Sequence, residues 1–222
     1  MGEWTLSDGA IIERPRSVTE YPLLAKIYAQ HDALIDRYIV DGVRTLEVAF
    51  GSHPHPDADI GIDAFHANTR SATGIDAATA DMRDLPFHDD TFSTVIGRRF
   101  LHHVPGMDRG QTINEMSRIL DSSGRLIFLE GTPGLYRRIT KHLAFRFGVL
   151  EEDNDEYGHL SPQELQNIVG THGFEITETR SLGSPLMPLS IITSPGVERL
   201  AGLYNHTQWI RWWTLLVAEP RA

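Results

Sequence analysis

The chain has no cysteine in its 222 residues, so disulfides and thiolate metal sites are both excluded. A chain without disulfides suits a reducing compartment. Lysine is nearly absent too: only Lys26 and Lys141 occur, and arginine supplies the rest of the basic charge. Acids outnumber bases 30 to 20, and the formal charge of -10 argues against a dedicated nucleic-acid binder, which would present a basic face. No apolar run reaches the roughly 18 residues of a membrane span, and the N-terminal stretch lacks the apolar centre of a signal peptide. The cytoplasm is the default expectation. The G-x-G-x-x-G fingerprint of nicotinamide-dinucleotide enzymes is also missing, which counts against a nicotinamide-dependent oxidoreductase.

What is present is an ordinary globular composition, 41% hydrophobic and 23% charged, at a length that buries a proper core within one domain. Ser17 with Glu20 three positions on forms a capping-box signature. Leu24, Ile27, Tyr28, Ile35, Tyr38 and Ile39 then recur at helical spacing, which predicts a helix over about 19–40, ended by Asp41-Gly42. A β-branched run predicts a first strand over 43–50, and a second follows over about 58–63, closing on Asp63. Only residues 51–58 separate the two. Eight extended residues reach roughly 26–28 Å, more than the ~17 Å of a five-residue strand, so a helix-free return to a parallel neighbour is feasible. A helix there is not, and the helix over 19–40 is the natural cover for the sheet face left bare.

Further strands are expected over 75–80, 91–97 and 125–130, with a short helix or loop over 64–74 and a helix over 108–120. This β, helix or loop, β alternation across 43–130 predicts a parallel α/β sheet. Ser161-Pro162-Gln163-Glu164 starts another helix, running to His172-Gly173, before strands over 174–179 and 209–219.

Several local patterns occur in one order: LEVAFGS at 46–52, GID at 61–63, ADMRDLPFHDDTFSTVI at 80–96, FLHHV at 100–104, EMSRILDSSGRLIFLE at 115–130 and HLSPQELQNIVGTHGFEI at 159–176. Together they resemble the class I S-adenosylmethionine-dependent methyltransferases, in particular the small-molecule branch with an acid-x-x-x-LPF segment. The resemblance implies a Rossmann-like fold, a mostly parallel seven-stranded sheet with an antiparallel last strand, in one domain. Residues 1–42 would form an N-terminal cap, 43–130 the cofactor core and 131–222 the substrate side. It implies S-adenosylmethionine as cofactor and methyl transfer to a small-molecule acceptor. Glu47, Ala49, Gly51 and Ser52 would face the methionine part, Asp63 with Ala64 the ribose, and Asp81 with Met82 the adenine. Gly97 and Arg98, with Arg99, would close the pocket. Tyr21, Tyr28, His142 and His159 lie in the segments that cap such a pocket and are substrate-contact candidates. Here the family's glycine-rich first loop keeps only Gly51, and the helix behind it is shortened or absent.

For catalysis, His102 and His103 follow the fourth strand at the sheet's carboxyl edge, where an imidazole could serve as general base; Glu130, ending the fifth strand, is the other candidate. Packed or capping histidines and a plain strand-end acid are the structural alternatives, because methyl transfer can run on alignment alone. His53, His55 and Asp57 form an H-x-H-x-D run, but Ala58 stands where a hydrolase metal site wants a histidine. The loop therefore reads as structural or cofactor-covering, with no metal. The eroded first loop also motivates a second function, a binding or regulatory subunit of the same fold without transfer activity; a metal-dependent hydrolase ranks third. The basic stretch over 136–146 reads first as a solvated face and, as the alternative, as a contact for an anionic substrate; Trp209, Trp212 and Trp213 read as core and edge of the last strand.

Overall fold

The computed structural model describes residues 21–40, 44–51, 53–146, 158–203 and 210–221. The Ser17–Glu20 box, Ser52 and Trp209 lie outside the described residues. Seven strands form one sheet: β1 (Thr45–Val48), β2 (Ile60–Asp63), β3 (Asp76–Thr79), β4 (Phe92–Arg98), β5 (Leu120–Gly131), β6 (Phe174–Leu182) and β7 (Trp213–Pro220). Their order is β3-β2-β1-β4-β5-β7-β6. The first five are parallel, and β7 runs antiparallel between β5 and β6. The expected α/β class and seven-stranded sheet are both present.

Side chains alternate between two faces of the buried strands. Leu46, Val48, Val95, Leu126 and Phe128 point toward α3 (Arg109–Ile119) and α5 (Pro162–Thr171). Ile96, Ile127, Leu129 and Leu215 point toward α1 (Pro22–Ile35) and the 3-10 segments Met187–Ile191 and Val197–Leu203. In α1, Leu23, Ile27, His31, Leu34 and Ile35 form one buried stripe, and its proline sits in the first turn, where no amide donor is needed. The helix stops at Ile35 rather than near 40. Tyr38 N–H closes a turn onto Ile35 O, and Val40 N–H reaches Thr94 Oγ1 (3.1 Å), so 36–40 deliver the chain to the sheet. The box expected at α5 is formed: Glu164 N–H donates to Ser161 Oγ (3.3 Å) and Ser161 N–H to Glu164 Oε2 (2.8 Å). Two further helices are α2 (His66–Ser71), a short one, and α4 (Leu135–Arg146), and a 3-10 turn spans Leu101–His103. No helix among the described residues is long and apolar enough to cross a membrane.

Among the described residues no helix joins β1 to β2. The chain turns at once, with Ala49 and Gly51 both at positive φ (51° and 66°), a conformation easy for glycine and strained for alanine. Phe50 then folds back over β2: a Cβ on Gly61 would lie 2.7 Å from its ring. The cover left out with the helix comes from this phenylalanine, from buried His55 and from the end of α1.

Gly97 in β4 is packed as tightly. A Cβ there would come within 2.6 Å of both the Phe100 and Phe128 rings. Gly97→Ala is expected to destabilise the fold by about 1–3 kcal/mol through overpacking, read as a lower urea midpoint at unchanged slope.

Candidate functional site

Three groups of charged side chains gather at the carboxyl edge of the parallel strands. The first is built on Arg98, the last residue of β4, which is only 6% exposed. Its Nε donates to Glu47 Oε1 (2.6 Å), one terminal nitrogen to Asp32 Oδ1 on α1 (2.7 Å), and the other to the carbonyl of His53 (2.6 Å). Glu47 Oε2 accepts from the His55 N–H (2.5 Å). Burial works against the Arg98 charge, but Glu47 and Asp32 more than offset it and hold the guanidinium firmly protonated. Next door His31 is pushed down to about 3, first by burial and then by Arg99 and Arg98, so it stays neutral. Glu47 and Arg98, expected at the cofactor, therefore face each other inside the protein. Glu47 is fully buried with both oxygens bonded to the chain, because the short loop brings His55 where a longer glycine loop and helix would stand.

The second group is centred on Asp63, the last residue of β2. Its Oδ1 accepts from the Phe65 N–H (2.8 Å) and Asn68 Nδ2 (3.0 Å), and its Oδ2 from the Gly51 N–H (2.9 Å). Gly51 and Asp63 are thus joined, as strand-edge neighbours must be for one ligand to meet both. A carboxylate has about four lone-pair sites, so one acceptor position on Oδ2 remains beyond these three bonds. Asp81, just past β3, is 40% exposed and carries Arg83 on both oxygens (2.6–3.1 Å); that guanidinium holds its carboxyl below the usual range. Arg83 also reaches Asp108 (3.3 Å). Met82 is buried in the core cluster that also holds Leu46, Val48 and Val95, whereas Ala64 is exposed.

The third group lies at the ends of β4 and β5. Glu130 is 1% exposed. Its Oε1 accepts the N–H groups of Phe100 and Leu101 (2.9 Å each), and its Oε2 meets His102 Nδ1 (3.1 Å). Burial raises the carboxyl's pKa, but the His102 bond and charge and the two amides outweigh it, and the net shift is downward. His102 packs against His103 (ring centroids 4.0 Å) and His159 (4.5 Å). His159 in turn meets Arg137, whose guanidinium lies 5.8–5.9 Å from the Trp212 and Trp213 rings. His159 also lines a cleft of about 490 Å³ with Arg109, Leu160 and Glu164.

Of the substrate candidates, His159 joins this group and Tyr28 lies under the Arg99 guanidinium (3.9 Å). Tyr21 is half-buried at the start of α1, and His142 is exposed on α4, so neither is brought to the cluster by a described contact. Sequence reasoning missed Asp32 and Arg137. Arg137 is 8% exposed and points inward from a helix whose Arg138 is exposed, so the basic stretch is not a uniformly solvated face.

Residues 59–128, from the approach to β2 through most of β5, match the family model for a methyltransferase domain. Solved structures share the fold at low identity. A S-adenosylmethionine-dependent methyltransferase of Thermotoga maritima, described as a possible histamine N-methyltransferase, superposes with a TM-score of 0.64 at 15% identity over 92% of this chain and 91% of its own. Geranyl diphosphate C-methyltransferase of Streptomyces coelicolor, solved with Mg2+, geranyl diphosphate and S-adenosylhomocysteine, gives 0.63 at 13% over 89% and 81%. The cyclase SpnF gives 0.62 at 16% over 87% and 81%. Residues 59–128 therefore resemble a methyltransferase domain, and the chain shares the fold of these solved structures.

The downward shift of Glu130 fixes a pH dependence. Its native form holds protons less tightly than the unfolded chain, whose glutamates titrate near about 4.3, so its stabilisation is full above that pH and is lost as pH falls through its lower native value. Glu130→Gln is expected to lower stability by about 1–3 kcal/mol at pH 7, the deficit shrinking toward pH 3; urea midpoints measured across pH 3–7 check this.

Proposed function

We propose that the protein is a S-adenosylmethionine-dependent methyltransferase acting on a small-molecule acceptor. The observation that carries this is Asp63: a carboxylate ending β2, tied to the turn after β1, within the segment that matches the methyltransferase domain. Its remaining lone pair suits a ribose hydroxyl, and half-exposed Asp81 suits the adenine amino group. Bound there, the cofactor supplies a methyl group made electrophilic by its positive sulfur. The turn at Gly51 allows close backbone approach.

The acceptor side is assigned to the cluster at β4 and β5. Glu130, as a carboxylate, only accepts, so the proton between it and His102 sits on His102 Nδ1 and the basic lone pair on Nε2. That orientation fits His102 for taking the acceptor's proton as the methyl group is transferred, with Glu130 as its positioning residue and His103 and His159 as flanking rings. The histidines together with Arg137 suit a polar or anionic acceptor.

A second reading, a methyltransferase-fold protein acting without transfer chemistry, is favoured by one observation: both oxygens of Glu47 are spent inside the protein. The cyclase SpnF has the same fold, so the fold alone does not decide between them. S-adenosylhomocysteine at about 100 times its Kd is expected to add about 2.7 kcal/mol and raise the melting temperature by about 5–10 °C. No shift at millimolar ligand would contradict cofactor binding, and a shift without methyl transfer to any acceptor would favour the second reading.

A further inference from the structure

Asp36 closes the last turn of α1, and His55 and Asp57 lie in the loop that replaces the helix after β1. One ligand-type atom from each falls within 4.8 Å of the other two. The sequence placed a possible cation run at His53, His55 and Asp57; in the fold His53 is not among the three, and Asp36, nineteen residues before His55, takes its place. The two carboxylates are exposed, whereas His55 is 1% exposed between them and the sheet. Its Nδ1 accepts from the Asp57 N–H (3.2 Å). Its Nε2 lies buried 3.4 Å from Asp36 Oδ1, without a hydrogen-bond partner. Buried imidazole nitrogens are ordinarily satisfied, so this one needs an account.

Two acids, Asp36 and Asp57, stand together beside one imidazole, an arrangement relieved by a positive charge between them.

We propose that Asp36, His55 and Asp57 form a site for a first-row divalent cation of the Zn2+ class, which staples α1 to the shortened first loop. One imidazole nitrogen and two carboxylate oxygens are a borderline donor set suited to Zn2+, with solvent at the fourth position. Mg2+ and Ca2+ require six or more oxygen ligands and match it poorly. Of the three, Asp57 also lines a cleft of about 740 Å³ with Pro56, Ala58 and Asp59. Ligation through Nε2 places the ring proton on Nδ1 and gives up the long bond from the Asp57 N–H. Because the His55 N–H holds Glu47 (2.5 Å), a cation here also steadies the Arg98 cluster. The site stands independently of methyl transfer.

Titration calorimetry and thermal melts of the full chain with Zn2+, and with Mg2+ as control, test it. Wild type is expected to take up Zn2+ with a rise in melting temperature and to ignore Mg2+. Asp36→Asn and Asp57→Asn change exposed side chains, so both variants should keep the wild-type circular dichroism while binding Zn2+ about tenfold or more weakly. Absence of Zn2+ binding by wild type overturns the site, as does wild-type affinity in both variants, which would place the metal on histidines elsewhere. Mg2+ binding as tightly as Zn2+ overturns the assigned class.

Discussion

A buried guanidinium is the constraint on which the first half of the sheet depends. Removing Arg98 from water is costly unless every donor it carries is met, and an unpaired partner left behind is costlier still. Glu47 from β1, Asp32 from α1 and the His53 carbonyl from the first loop meet it from three directions. The result is a polar pin through the place where the fold ordinarily sets a helix. Specific, directional bonds replace the broad apolar contact that a helix would have made with β1 and β2.

That substitution shapes the carboxyl edge. The loop opens with a turn from which Gly51 donates to Asp63, so the acid that closes β2 is oriented by the turn after β1 rather than left to solvent. On the other side of Arg98, Phe100 and Leu101 donate to Glu130, which in turn orients His102. The proposed cofactor end and the proposed acceptor end are therefore linked through the few residues after β4. Positive φ at Arg99 marks the sharp turn that allows it.

Much of this was legible in the sequence, and the rest was not, for one physical reason. Strand ends, capping boxes and missing helices are local: the alternation of 43–63, the count of residues between strands and Ser161–Glu164 each speak for themselves within a few positions. Asp63 and the helix-free β1–β2 connection were readable on that basis. Charge pairing is not local. Asp32 meets Arg98 across 66 positions, and Asp36 meets His55 only once α1 has docked. The early end of α1 has the same origin: Tyr38 and Ile39 pack against the core at helical spacing but from turns.

The claim that the Arg98 cluster does the work of the absent helix is tested most directly by native-state amide exchange. Arg98→Met with Glu47→Leu replaces the ion pair by apolar groups of similar size, a change that buried pairs often tolerate in overall stability. Gly51 and Ala58 N–H, whose acceptors Asp63 and His55 O are untouched by these changes, are expected to exchange about tenfold or more faster in the double variant, with β4 and β5 still protected. Unchanged exchange at Gly51 and Ala58 would contradict the claim and return the loop's order to Phe50 and the apolar core.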